Sequence, residues 1–136
     1  MRLAFTAALL GLAVTIAASA HDATPDRVFE LRTYHVADGK LAELHKRFRD
    51  HTCELLTKHG AELIGFWTPI DEKDGKGKTL VYLVAHASRD AATETWRAFR
   101  ADPAWIKVKA ASEVNGVLTE KVDSVFMEPT DYSAMR

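Results

Sequence analysis

Apolar and polar residues alternate through residues 28–36, Val-Phe-Glu-Leu-Arg-Thr-Tyr-His-Val, with the two-residue period of a strand. Phe29, Leu31 and Thr33 share one face, and Glu30, Arg32 and Tyr34 share the other. The first face suits burial under a helix. The second sets an anion, a cation and a phenol on a sheet surface, an arrangement that is costly unless it meets water, a ligand or a partner. Function is therefore expected on that surface. A turn follows at Ala37-Asp38-Gly39, with Asp38 as the expected N-cap. From Lys40 to His59 the period becomes helical: Leu41, Leu44, Phe48, Thr52, Leu55 and Leu56 form one stripe, and Gly60 is placed for a left-handed C-cap.

Residues 62–69 are rich in strand formers and stop at Pro69, and residues 79–87 form a second apolar run. The charged, glycine-containing stretch 71–78 joins them as a hairpin tip and lacks any phosphate-binding motif. Ser88 is the expected cap of a helix whose stripe is Ala92, Trp96 and Phe99. Asp102-Pro103 restarts the chain as N-cap and first helical residue, and the short helix stops near Asn115-Gly116. A last strand covers residues 119–128, before a polar tail. The order strand, helix, strand, strand, helix, strand predicts a ferredoxin-like α+β sandwich, with four antiparallel strands and both helices on one face. Ile64, Phe66, Tyr82, Val84 and Phe126, with the residues opposite them, are too many to lie all under the helices. A second copy of the chain is the expected cover, making a homodimer.

The first twenty residues follow a different pattern. Arg2 precedes an uncharged run from Leu3 to Ala17, and Ala18-Ser19-Ala20 is a small-residue cleavage pattern followed by His21-Asp22. This predicts a secretory signal peptide over residues 1–20, a loose arm over 21–27 and one domain over 28–136. The apolar run is shorter than a membrane-spanning helix needs, so no transmembrane segment is expected after cleavage and the location is periplasmic or secreted. Lys plus Arg number 18 against 19 for Asp plus Glu, which leaves no basic excess for a phosphate backbone and argues against nucleic acid. Cys53 is the single cysteine, so no internal disulfide forms, and it is expected to be a buried, inert thiol.

Several pieces of this chain, in order, resemble the NIPSNAP family: Phe29-Glu30-Leu31-Arg32-Thr33-Tyr34 with Gly39-Lys40-Leu41, Phe48-Arg49-Asp50-His51-Thr52, Lys58-His59-Gly60, Gly65-Phe66-Trp67-Thr68-Pro69, Phe99-Arg100-Ala101-Asp102-Pro103-Ala104-Trp105 and Pro129-Thr130-Asp131-Tyr132-Ser133. The resemblance spans nearly all of the mature chain. It implies a dimeric α+β barrel, in which two four-stranded sheets face one another around a central space. Relatives of that architecture include cofactor-free monooxygenases and haem-degrading enzymes. The family supplies no settled catalytic residues to carry over.

Six histidines invite a metal hypothesis, but His45, His51 and His59 on the first helix are never three or four apart. No metal site and no cofactor are expected. His35 and His86 sit at strand ends, where a sheet can bring them near each other, and surface or capping roles are expected for them rather than ligation. No Gly-x-Ser-x-Gly elbow occurs. The candidate site is the barrel interior, lined by Arg32, Tyr34, His51, Trp67, Tyr82 and His86: Arg32 to hold a carboxylate or enolate, His or Tyr to move a proton. Glu30 and Arg32 are also placed to pair with each other in a purely structural role, and Trp67, Trp96 and Trp105 are expected in the core. The leading reading is a small-molecule binder. The alternatives are a cofactor-independent monooxygenase or isomerase acting on a small conjugated compound, and an interaction module working through its outer helices or the 71–78 loop.

Overall fold

A computed structural model describes residues 27–136, so the expected signal peptide and most of the arm lie outside the described residues. The elements are β1 (Val28–Val36), α1 (Leu41–Arg47), a π-helical turn (Phe48–Thr52), α2 (Cys53–Lys58), β2 (Glu62–Trp67), a 3-10 turn (Glu72–Asp74), β3 (Thr79–His86), α3 (Arg89–Ala101), α4 (Pro103–Ser112) and β4 (Thr119–Met127). The sheet is antiparallel in the order β2-β3-β1-β4, the ferredoxin-like arrangement expected from the element order. Each helical crossover places the following strand on one outer side of the central β3-β1 pair. Among the described residues no helix is long and apolar enough to cross a membrane.

The barrel implied by the resemblance is a correction. The sheet stays open: β2 and β4 are its two edges and do not pair with each other. Four strands do not curl far enough to bring their edges together; closed barrels of this kind take about eight.

A second correction concerns which face goes under the helices. Glu30, Arg32 and Tyr34 face α1 and α3, and Phe29, Leu31 and Thr33 face away, the reverse of what their polarity suggests. The register sets this: Arg32 sits opposite Tyr82 and Ser124, and Tyr34 opposite Leu80 and Val122. Tyr82, Leu80 and Val84 lie in the core with Leu44, Phe48, Leu56 and Phe99. Phe48 anchors the first helical segment to the sheet, its ring edge-on to Tyr34 at 5.7 Å, Phe66 at 5.7 Å and Tyr82 at 5.4 Å. On the far face Phe29 is buried because the chain after β4 folds back, with Pro129, Ser133 and Met135 roofing a space of about 270 Å³ over Phe29, Leu83 and Met127.

The helix ends follow local chemistry, with one exception. Ser88 accepts a hydrogen bond from the Ala91 amide at 3.0 Å, and Asp102 accepts one from Ala104 at 2.8 Å with Pro103 in the first turn. Asp102 also takes Lys58 at 2.7 Å and His59 at 2.8 Å, tying the end of α2 to the start of α4. These donors hold its carboxyl well below the ordinary carboxylate range. Gly60 adopts φ +95° after α2, as a C-cap requires. Asp38 does not cap α1: it pairs with Lys78 at 2.8 Å across the hairpin end, and the N-cap is Lys40 with no side-chain bond. The first helix is also not uniform. The Cys53 amide bonds to the Phe48 carbonyl, five residues back, and the buried Thr52 hydroxyl donates to Arg47 at 3.2 Å, which widens one turn. Ser88→Ala is expected to lower stability by about 1 kcal/mol, the ordinary value of an N-cap. An unchanged midpoint in urea would mean that the cap contributes nothing to α3.

Candidate functional site

Alternate positions on β1 supply the floor of the site, and α3 supplies its roof. Glu30 is 1% exposed and its carboxylate is saturated by four donors. Oε1 accepts from Arg32 Nη1 at 2.7 Å and from Ser124 Oγ at 2.6 Å; Oε2 accepts from Trp96 Nε1 at 2.6 Å and from His86 Nε2 at 3.1 Å. A carboxylate only accepts, so His86 is the donor in that contact. Burial is the largest single influence on Glu30 and pushes its carboxyl up, but His86, Ser124, Arg32 and Trp96 together outweigh it and hold the group down to about 2. Four partners from β1, β3, α3 and β4 converge on this one side chain.

Arg32 is largely buried beside Glu30, its side chain 15% exposed. Its guanidinium lies 4.0 Å from the centre of the Trp96 ring and 5.8 Å from that of Tyr34, so cation–π contact adds to the Glu30 pair. Arg32 Nε is buried without a partner, as is His86 Nδ1. Beside Arg32, Ser124 and Val122 of β4 are exposed on the same face of the sheet, because α3 and α1 cover β1 and β3 rather than the β4 edge. Tyr82 is wholly buried and donates to the Tyr34 hydroxyl at 3.1 Å. Burial pushes the Tyr82 phenol well up, so it remains a donor and leaves the Tyr34 proton free to be given elsewhere.

Four of the six candidate residues therefore share this face: Arg32, Tyr34, Tyr82 and His86. The other two do not join them. Trp67 sits opposite Val81 on the far face and is 54% exposed, a departure also from its expected core place. A register shift between Leu63 and Gly65 accompanies this, and the Trp67 ring lies back over Gly65, where an added Cβ would come within 2.6 Å of it. His51 is exposed on the π turn, in a groove against α4. His35 and His86 are at opposite ends of the β1-β3 pair, aligned with Thr79 and Val28 respectively; His35 bonds to Asp123 at 2.7 Å instead. Cys53 is half-buried rather than fully buried as expected, and burial pushes its thiol up.

The residues missing from the sequence reading are Ser124 and, as a hydrogen-bond donor, Trp96. Trp96 carries a signal in hindsight. An indole on the apolar stripe of a helix brings an N–H that needs an acceptor once buried, and Glu30 is the acceptor on the strand beneath. Ser124 carries none, since only the β1-β4 register brings it beside Glu30.

Comparison with known proteins bears on the fold and its lineage. The NIPSNAP family model matches residues 29–134. A NIPSNAP family protein of unknown function from Agrobacterium tumefaciens is similar at 24% identity, covering 82% of this chain and 96% of its own, with a TM-score of 0.68. An uncharacterised NIPSNAP domain protein from Burkholderia xenovorans matches at 26% identity over 78% of this chain and 97% of its own, with a TM-score of 0.65. A cofactor-independent oxygenase from Streptomyces nogalater shares the fold at 15% identity, over 82% of this chain and 99% of its own, with a TM-score of 0.51. No curated protein matches. The family match over almost the whole described domain, together with the common fold, makes this chain a member of the NIPSNAP family.

Proposed function

We propose that this NIPSNAP-family protein, exported and acting as a homodimer, binds a small molecule whose anionic or polarised oxygen is held by Arg32 on the helix side of the sheet. The observation that carries the reading is the condition of Arg32. It is a mostly buried cation, fixed by one N–H on Glu30 and by the Trp96 ring, with Nε unpartnered. A guanidinium held in this way keeps donors in a fixed fork for a carboxylate or enolate. The exposed Ser124 and Val122 mark the side from which a ligand reaches it. Trp67, Val125 and Met127, exposed on the opposite face, support the homodimer, since a second copy would cover them. The signal-peptide pattern of residues 1–20 supports export.

Native mass spectrometry of the mature protein tests the binding reading. A reproducible extra mass on the wild type, lost on denaturation and absent from folded Arg32→Gln, is expected. An adduct that survives in the variant, or a wild type that carries none, would count against the reading. The same spectra report whether the protein is a dimer.

A second reading, cofactor-independent isomerisation or oxygenation of a small conjugated compound, draws on the free Tyr34 proton next to Arg32. In that case Tyr34→Phe keeps the bound mass but loses turnover. A variant that keeps both would remove the second reading and leave the first.

A further inference from the structure

Between α1 with the π turn on one side and α4 on the other lies an open groove of about 600 Å³, within the range of about 300–1,000 Å³ that small-molecule sites occupy. It runs along the flank of α1 and the π turn that bears Glu43, Arg47 and Asp50, not the flank that packs Leu44 and Phe48 on the sheet. The α4 wall is an apolar stripe of Ala104, Val108 and Ala111 at i, i+4 and i+7. No residue of α4 is buried, so this stripe is not part of the core and faces the groove instead.

Charges on the two walls do not balance. Both acids of the α1 wall are already matched, Glu43 by Lys40 at 3.0 Å and Asp50 by Lys46. The cations are not fully matched. Lys107 lines the groove and joins none of the ion pairs of the described residues near it. Arg47 is 5% exposed and gives Nη1 to Glu113 at 3.0 Å and to Ser112 at 3.2 Å, while its buried Nε has no partner. A buried guanidinium with an unused donor, beside a free ammonium and an apolar stripe, asks for an occupant that is apolar along its length and anionic at one end.

We infer that the groove binds an amphipathic monocarboxylate, such as a medium-chain fatty acid or an arylalkanoic acid. Its apolar body lies along Ala104, Val108 and Ala111, and its carboxylate draws on Lys107 and Arg47. The site is separate from the Arg32 face and stands whether or not that face binds a ligand.

The test is an amide-resolved NMR titration of the mature protein with decanoate, and with decanol as its uncharged counterpart. Saturable shifts confined to α1, the π turn and α4 are expected. Decanol and the variant Lys107→Glu should each weaken binding by about tenfold or more, from loss or reversal of the charge contact. Ala111→Phe, at an exposed position, fills the groove and should abolish the shifts while the remaining spectrum is preserved. Arg32→Gln should bind decanoate as the wild type does, which separates this site from the one on the sheet. No saturable shifts in the wild type, shifts centred elsewhere, or binding of decanol by the wild type or of decanoate by Lys107→Glu as tight as the wild type's binding of decanoate would each overturn the inference.

Discussion

Glu30→Gln is expected to lower stability by about 3–5 kcal/mol, the cost of breaking a buried charge pair by removing one partner. The carboxylate gathers four donors and offers none, whereas an amide brings an NH2 group into a shell made only of donors. It also leaves the Arg32 cation without a counter-charge, and Arg32 is 15% exposed. Acid titration gives the same group a second signature. Folded Glu30 titrates near 2 and its ordinary value is 4.5, so the unfolded chain takes up the proton first as pH falls. The stabilisation is complete above about pH 4.5 and is lost progressively as pH drops towards 2, with a total near 3 kcal/mol from about 1.4 kcal/mol per pKa unit. Urea unfolding at a series of pH values should show that decline in the wild type and a shallower one in the variant. Parallel curves would mean that Glu30 is not held ionised by its neighbours.

Phe48→Ala should cost about 3–5 kcal/mol, the range for truncating a buried aromatic side chain. Phe48 is 4% exposed and is the ring through which the first helical segment reaches Tyr34, Phe66 and Tyr82. Its removal opens a void between helix and sheet that none of those rings fills by a simple rotation, since Tyr34 and Tyr82 are tied by their hydroxyls. Phe48→Leu keeps most of the volume and should lose less than half as much. Chemical denaturation of the two variants decides the matter; equal, small losses would show that the helix is held to the sheet by other contacts.

Much of the fold is legible in the residues, wherever the deciding chemistry is local. The bounds of β1 coincide with the alternating run 28–36. Ser88 and Asp102-Pro103 open their helices as their types require. Asp38 shows where this stops, since Lys78, forty residues further along, takes its carboxylate. The π turn leaves no mark on the apolar stripe, because Phe48, Thr52 and Leu55 stay on one face with or without it. The larger departure concerns the two faces of β1. By polarity Phe29, Leu31 and Thr33 belong under the helices, yet Glu30 and Arg32 go there because Trp96, His86 and Ser124 meet them. Such partners become visible only when distant segments are brought together. Phe29 in turn is buried by the C-terminal tail, which alternation within β1 has no means of announcing. The same non-local closure separates the candidates: Arg32, Tyr34, Tyr82 and His86 converge, while Trp67 and His51 lie elsewhere.

The open sheet has a consequence for how the protein survives at high concentration. An unpaired edge strand is a template on which another chain can grow, and this sheet has two. Each is blunted differently. Along β4 the acidic and basic residues Glu120, Lys121 and Asp123 are interspersed, with Lys121 and His35 both held on Asp123, so an incoming strand would have to displace ion pairs. The β2 edge is only six residues long and runs out into Thr68-Pro69, where the ring nitrogen of proline has no hydrogen to offer a neighbour. Aggregation by strand addition is therefore expected to begin at β4, under conditions that neutralise its carboxylates, rather than at β2.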